Sequence, residues 1–252
     1  MSPPSWSEDL ASGSGRGSAT VCPLPQLESL PLGDETPNVD PLIHLEDAGV
    51  SLGGKPILRH VEFELQPGQV VGIAGPNGSG KTTLIRVLTT LLRISEGTGS
   101  VLGADVNSDQ VFRVRPSIGM IGHNPALIGE LTLLENLIHV ARLAGVAEER
   151  VGTVLEVVGL GEASDRRADA SSFGMRRRIE VAHLLLTRPR LVLLDEATSG
   201  LDNSARELIN ALRDRTVADG GGVVMVSHDE KQLAETCEEV MGLASGRLVN
   251  AQ

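Results

Sequence analysis

Apolar and polar residues alternate through Ile43-His-Leu-Glu46 and again through Val61-Glu-Phe-Glu-Leu65. That two-residue period predicts two half-buried strands, with Gly53-Gly54 as the turn between them. Pro67-Gly68 turns the chain into Gln69-Val-Val-Gly-Ile-Ala74, an apolar run expected to be a buried strand. Thr83 to Leu92 then has the helical period. A further turn and short strand fall at 97–103, and Ser117-Ile-Gly-Met-Ile121 reads as a core strand. From Gly122 to Ala170 the pattern is helical. Thr132-Leu-Leu-Glu135 is a capping box before a helix over 133–143, and a second helix is expected over 148–158. Met175–Leu186 reads as a helix and Leu191-Val-Leu-Leu194 as a buried strand. Ser204-Ala-Arg-Glu207 predicts a capping box opening a helix to about Arg215. Gly220-Gly-Gly222 breaks that helix before the strand Val223-Val-Met-Val226, and Val240–Val249 reads as a hairpin.

Strands alternating with helices predict an α/β fold whose sheet is mainly parallel and wrapped by helices, with the helical stretch inserted in it. The first forty residues do not share the pattern. They are rich in Ser, Pro and Gly, as in Ser12-Gly-Ser-Gly-Arg-Gly17 and Pro23-Leu-Pro25. Such a segment buries too little apolar surface to offset its chain entropy, so residues 1–40 are expected to be a disordered tail, with Trp6 as a candidate docking residue.

Composition narrows the function classes. The 252 residues can bury a sizeable core, and 29 glycines with 40% hydrophobic content suit a soluble α/β protein with many tight turns. No apolar run reaches bilayer-spanning length, and the start lacks a secretion-signal pattern, so the cytoplasm is the expected location. Cys22 and Cys237 are isolated and form no disulfide framework or metal spacing. The formal charge of −11 opposes nonspecific nucleic-acid binding, so no nucleic-acid partner is expected.

The chemistry concentrates between the third strand and its helix. Gly75-Pro76-Asn77-Gly78-Ser79-Gly80-Lys81-Thr82-Thr83 fits G-x-x-x-x-G-K-[ST]. A chance glycine-rich turn could match, but the strand before it and the helix after it favour a phosphate cradle. Glycines let backbone N–H groups approach phosphate oxygens, Lys81 can reach the β- and γ-phosphates, and Thr82 can ligate Mg²⁺. The following helix aims its positive end at the same place. Asp195 and Glu196 end an apolar strand, where ligands of open α/β sheets collect. Asp195 is a candidate Mg²⁺ ligand, mainly through water, and Glu196 a candidate to polarise the attacking water. Taken alone, the pair could equally be an acidic helix start. Ser227-His228 ends another apolar strand, and His228 could bond the γ-phosphate and the water together; Ser227 could otherwise cap a helix with His228 passive beside it.

In motif order, Leu42 to Gln252 resembles the ATP-binding subunit of an ABC transporter. Besides the phosphate loop, Ser199-Gly-Leu-Asp202 matches the D-loop and His228 the H-loop. The family signature falls at Ser171-Ser-Phe-Gly-Met175, followed by Arg176-Arg177-Arg178. The resemblance implies a P-loop NTPase (RecA-like) core of mainly parallel sheet, an antiparallel N-terminal β subdomain and a helical subdomain inserted at about 123–172, all within a domain over 41–252. It also implies nucleotide contacts from the phosphate loop, His123 and Asp202, with Ser172 and Gly174 touching the γ-phosphate from the opposite subunit. Phe173 and Met175 depart from the family pattern, and Phe173 puts a bulky ring where glycine is usual. His123 stands at the position of the Q-loop glutamine, and Leu52 at that of the aromatic residue that stacks on adenine.

Gly122-His-Asn-Pro-Ala-Leu127 and Glu130-Leu-Thr-Leu-Leu-Glu-Asn-Leu137, with Gly-His in place of the usual Pro-Gln, the Ser-x-Gly-Met-Arg signature and an expected short chain without a C-terminal regulatory domain, together resemble one branch. That branch is the haem exporter ATP-binding subunit of cytochrome c biogenesis; drug-export and other small-molecule subunits are the alternative. The resemblance implies ATP and Mg²⁺ as ligands, pairing with a second ATPase subunit (identical or homologous), and separate integral membrane subunits. It places the chain peripherally on the cytoplasmic face of the cell membrane. A soluble non-transport ABC ATPase is disfavoured by the single ATPase half and short insertion, and a small-molecule P-loop kinase by the signature and D-loop matches.

Overall fold

The computed structural model of the chain describes residues 41–198 and 200–250. The tail expected over residues 1–40, with Trp6 and Cys22, lies outside the described residues, as does Ser199. Two sheets are stacked. The first is antiparallel, in the order β2-β1-β4-β5, built from β1 (Ile43–Leu52), β2 (Lys55–Leu65), β4 (Glu96–Val101) and β5 (Ala104–Asp105). The second has the order β10-β9-β3-β8-β7-β6. Its strands β3 (Val70–Ala74), β6 (Ile118–Ile121), β7 (Leu191–Asp195), β8 (Gly222–Ser227) and β9 (Glu239–Ala244) are mutually parallel. Only β10 (Arg247–Asn250), closing a hairpin on β9, runs against them.

The three central strands of the second sheet are apolar at almost every position because both faces are buried. Val71, Ile73, Leu191, Leu193, Val224 and Val226 face the first sheet and helix α1 (Lys81–Leu88). Their alternates, among them Val70, Val192, Leu194, Val223 and Met225, face the helices of the opposite layer. That layer contains α3 (Leu133–Ala144), α4 (Glu149–Val157), α5 (Phe173–Thr187) and α6 (Asn203–Ala218), preceded in the chain by the one-turn α2 (Val111–Val114) and followed by α7 (Glu230–Thr236). Strand pattern and helix pattern therefore agree with the α/β fold expected, including its antiparallel N-terminal sheet.

Several boundaries differ from the sequence expectation, each for a local reason. β1 extends to Leu52 instead of stopping at Glu46, because irregular pairing after Leu45 and a left-handed Asp47 (φ 50°) interrupt the alternation without ending the strand. Helix α1 starts at Lys81 and ends at Leu88 rather than Leu92. Thr90 adopts φ 59° and its carbonyl accepts from Arg115 Nη2 at 2.6 Å, which turns the chain away. α5 begins two residues early because Ser172 caps it, accepting from the Met175 amide at 3.2 Å. The capping box expected at Ser204 does not form. Asp202 is the cap of α6, its Oδ1 accepting from the Ala205 amide at 2.7 Å. Ser204 lies inside the first turn, where its hydroxyl accepts from Arg178 Nη2 at 3.1 Å. At Thr132 the expected capping box is present in both directions, at 2.8 and 3.1 Å. The short helices α2 and α7 had no sequence expectation; α7 follows β8 after only two residues, too short for a periodic signal.

Candidate nucleotide-binding and hydrolysis site

The C-terminal ends of β3, β7 and β8 lie side by side, and the loops leaving them carry most of the expected site. Between β3 and α1 the phosphate loop is tight and supported from behind. A Cβ on Gly75 would stand 2.5 Å from the Leu243 carbonyl oxygen and 2.9 Å from Ser79 Oγ, so only glycine fits there. Gly80 adopts φ 112° and lies against Leu58, so the first sheet forms one wall of the loop. The β9–β10 turn forms another, with the Gly246 amide donating to the Ser79 carbonyl at 3.0 Å. Pro76, Asn77, Gly78 and Thr82 are exposed, and Thr83 is half-buried.

Two features of this loop fit a phosphate cradle. Ser79 Oγ is buried with no hydrogen-bond partner. Lys81 Nζ turns back to donate to the Gly75 carbonyl at 2.6 Å and the Pro76 carbonyl at 3.0 Å. Phosphate oxygens are stronger acceptors for such a cation than these carbonyls, since charge-assisted bonds are roughly twice as strong as neutral ones.

Asp195 is the last residue of β7 and Glu196 the first beyond it. Burial, and then the neighbouring Glu196, raise the pKa of Asp195, while the charges of Lys81 and His123 act to lower it. Asp195 is a half-buried carboxylate at the strand end, an oxygen donor of the kind Mg²⁺ takes. Glu196 is held in the left-handed region at φ 50°, a conformation costing roughly 1–3 kcal/mol for a non-glycine residue. Its amide donates to the Val226 carbonyl at 2.9 Å, tying it to the end of β8. Its side chain meets the next strand end in full: Oε1 accepts from the His228 amide at 2.8 Å and lies 2.7 Å from His228 Nδ1, while Oε2 accepts from Ser227 Oγ at 3.2 Å. Burial raises the pKa of Glu196, but the bonds and charge from His228 and the Ser227 hydroxyl outweigh it, leaving the group below its ordinary value and ionised.

The remaining expected residues are spread around this centre. His123 is exposed on the loop after β6, within electrostatic reach of Asp195. Asp202 is engaged as the α6 cap, with Arg178 Nη2 3.6 Å from its other oxygen. Ser172 is exposed at the start of α5, and a Cβ on Gly174 would meet no atom within 4 Å, so this end of the helix is open. Leu52 lies at the tip of the β1–β2 hairpin and is 40% exposed. Sequence reasoning missed three contributors. Ser227 holds Glu196, while Arg177 and Glu180 bind the His123 loop from α5. The arginine run was visible, but its direction in space was not.

The phosphate loop and the strand-end carboxylate pair of this arrangement fall within a match of residues 58–199 to the ABC transporter family, and His228 lies beyond it. The chain belongs to the ABC transporter ATP-binding family. It is 34% identical over 192 residues to the cytochrome c biogenesis ATP-binding export protein CcmA of Cupriavidus pinatubonensis, covering 75% of this chain and 84% of that protein. It is equally 34% identical over 218 residues to the daunorubicin/doxorubicin resistance ATP-binding protein DrrA of Streptomyces peucetius, covering 84% of this chain and 66% of that one. Among solved structures, a dimeric post-hydrolysis ATP-binding cassette, MJ0796 with ADP and Pi, superposes with a TM-score of 0.73 at 26% identity, covering 83% of this chain and 97% of that one. The ABC ATPase fold and ATPase class expected from the motifs are therefore borne out. This ABC ATPase is the ATP-binding subunit of a transport system. Among its described residues no helix is long and apolar enough to cross a membrane.

Proposed function

We propose that this ABC ATPase hydrolyses ATP with Glu196 as the group that polarises the attacking water, and that closure of two such subunits drives separate integral membrane subunits. The observation that carries this reading is the Glu196–His228 contact of 2.7 Å beside a phosphate loop with a buried, unpartnered Ser79 hydroxyl and a Lys81 ammonium folded onto the loop's own carbonyls. Backbone amides of Gly75 to Thr83 and the Lys81 ammonium hold the phosphates. Thr82 and Asp195 would hold Mg²⁺, which when bound neutralises charge on the β- and γ-phosphates. Glu196, ionised and fixed by Ser227 and the His228 amide, takes the proton of the water that attacks the γ-phosphorus as the bond to ADP breaks. His228 can turn from Glu196 to the γ-phosphate, and His123 stands at the open side near Asp195. Ser172 and Gly174, open at the start of α5, complete the site of a second subunit, and Asp202 supports the same junction.

Such a subunit works on the cytoplasmic face of the cell membrane, bound to its membrane partners. For cargo, the likeness of 119–137 and the signature to haem exporter subunits, with the coverage of CcmA, supports haem export for cytochrome c biogenesis. Equal identity to DrrA over a longer part of this chain favours small-molecule drug export as the second reading. Both are tested by reconstituting the chain with its membrane subunits in vesicles and measuring ATP turnover with haem or with an anthracycline inside or outside. Stimulation by haem alone supports the first reading, and stimulation by the anthracycline alone supports the second. No ATP turnover under either condition overturns the catalytic assignment.

A further inference from the structure

Arg177 and Glu180 form a buried ion pair in the middle of the site-bearing region. Arg177 is 1% exposed and Glu180 6%. Arg177 Nη1 donates to Glu180 Oε2 at 2.7 Å and to the Gly122 carbonyl at 2.7 Å, and Nη2 donates to the His123 carbonyl at 3.0 Å. Glu180 Oε1 accepts from the Ala126 amide at 2.9 Å. One turn before Arg177, the Phe173 ring lies beneath its guanidinium at 5.3 Å. The pair therefore grips both ends of the 122–126 loop from α5, the helix that also presents Ser172 and Gly174.

A pair buried this deeply is a poor device for stability alone. Desolvating two charges offsets much of their attraction, and apolar residues of similar volume often do as well or better. Arg177 Nε is also buried without a partner. What apolar residues could not do is hold two carbonyls and an amide of an otherwise exposed loop. The side chain at 173 is drawn into the same unit, which gives the bulky ring in the signature a role that glycine could not fill.

We infer that Phe173, Arg177 and Glu180 are a positioning unit that sets the His123 loop against Asp195 and ties it to the signature end of α5. This rests on the reading of His123 as a group acting at the nucleotide.

The test is steady-state ATP turnover of the full chain with its membrane subunits for four forms: wild type, His123→Ala, Arg177→Met/Glu180→Met, and the triple variant. Replacing both charges keeps the volume and leaves no unpaired ion, so the thermal midpoint should be unchanged or higher. The expected result is a loss of about tenfold in kcat for His123→Ala and for the double variant, with KM within about threefold, and no further loss in the triple variant. If the Met pair does not fold, Arg177→Gln/Glu180→Gln replaces it. Multiplied losses of about a hundredfold in the triple variant, or wild-type kcat in the double variant, overturn the positioning role while leaving the His123 reading standing. Wild-type kcat in His123→Ala overturns that reading, and the inference with it.

Discussion

His228 Nδ1 lies 2.7 Å from Glu196 Oε1, and the His228 amide donates to the same oxygen at 2.8 Å. The two residues end neighbouring parallel strands, so sheet register alone brings residues 32 positions apart into one contact. The carboxylate proposed as catalytic is aimed by the backbone and side chain of His228 on one oxygen and by the Ser227 hydroxyl on the other.

Glu196→Gln should slow hydrolysis by about 10²–10⁴-fold while ATP binding stays nearly intact. Glutamine can still accept from the His228 amide, so the local frame survives and only the base is lost. Turnover at saturating Mg-ATP, together with a binding isotherm, checks both halves. Unchanged turnover would remove Glu196 from the catalytic role.

The chain should be mostly monomeric without nucleotide, and Glu196→Gln should accumulate an ATP-bound dimer. Ser172 is exposed and a Cβ on Gly174 would meet no atom within 4 Å, so each subunit presents this end of α5 outward, open to a partner's nucleotide under the proposed reading. Light scattering with and without ATP measures the mass directly. A constant mass would count against a shared site.

GTP should be accepted within about tenfold of ATP, a gap of roughly 1.4 kcal/mol. By the family resemblance Leu52, 40% exposed at its hairpin tip, stands where an aromatic residue stacks on adenine; a leucine there would give apolar contact without stacking, a loss of about 0.5–1.5 kcal/mol. The phosphates, which are the same in both nucleotides, then dominate affinity. Competition against a fluorescent ATP analogue decides the point. A preference for ATP above roughly a hundredfold, about 2.7 kcal/mol, would reveal an adenine contact from elsewhere.

His183 predicts an acid-sensitive fold. It is held neutral in α5, its pKa lowered to about 4 by burial and, secondarily, by His139, and its Nε2 is buried without a partner. A lowered folded-state pKa means the unfolded chain binds the proton more readily. The stability contribution is therefore full above about pH 6.5 and is lost as pH falls from there toward 4. Between pH 7 and pH 5 the loss should be about 2 kcal/mol. Denaturant unfolding of wild type and His183→Leu at both pH values isolates it, because the carboxylates titrate alike in both proteins. Equal pH dependence in the two would show that His183 charges freely in the folded state.

The strand-end motifs were legible because they are local. A phosphate loop needs its glycines, lysine and hydroxyl within nine residues, and the buried strands before Asp195 and His228 show as unbroken apolar runs. The capping box at Thr132 is local in the same way. Ser204 misled because Asp202, two residues earlier, offers an equally good cap, and Arg178 from another helix occupies the Ser204 hydroxyl. Asp47 and Thr90 misled because a left-handed residue can continue a strand through a bulge or stop a helix, and neither outcome leaves a periodic trace.

By itself the sequence determined the α/β layering, the phosphate loop, the carboxylate pair and the histidine, since each follows from residue type and short-range period. Only the tertiary structure decided which groups hold one another: Glu196 with His228 and Ser227, Leu243 and Gly246 behind the phosphate loop, and Arg177 with Glu180 around the His123 loop. Apart from the Arg177–Glu180 pair, one turn apart on α5, those contacts join residues dozens of positions apart. They are fixed by parallel strand register and by burial of α5 against the sheet, quantities that depend on the whole chain packing at once.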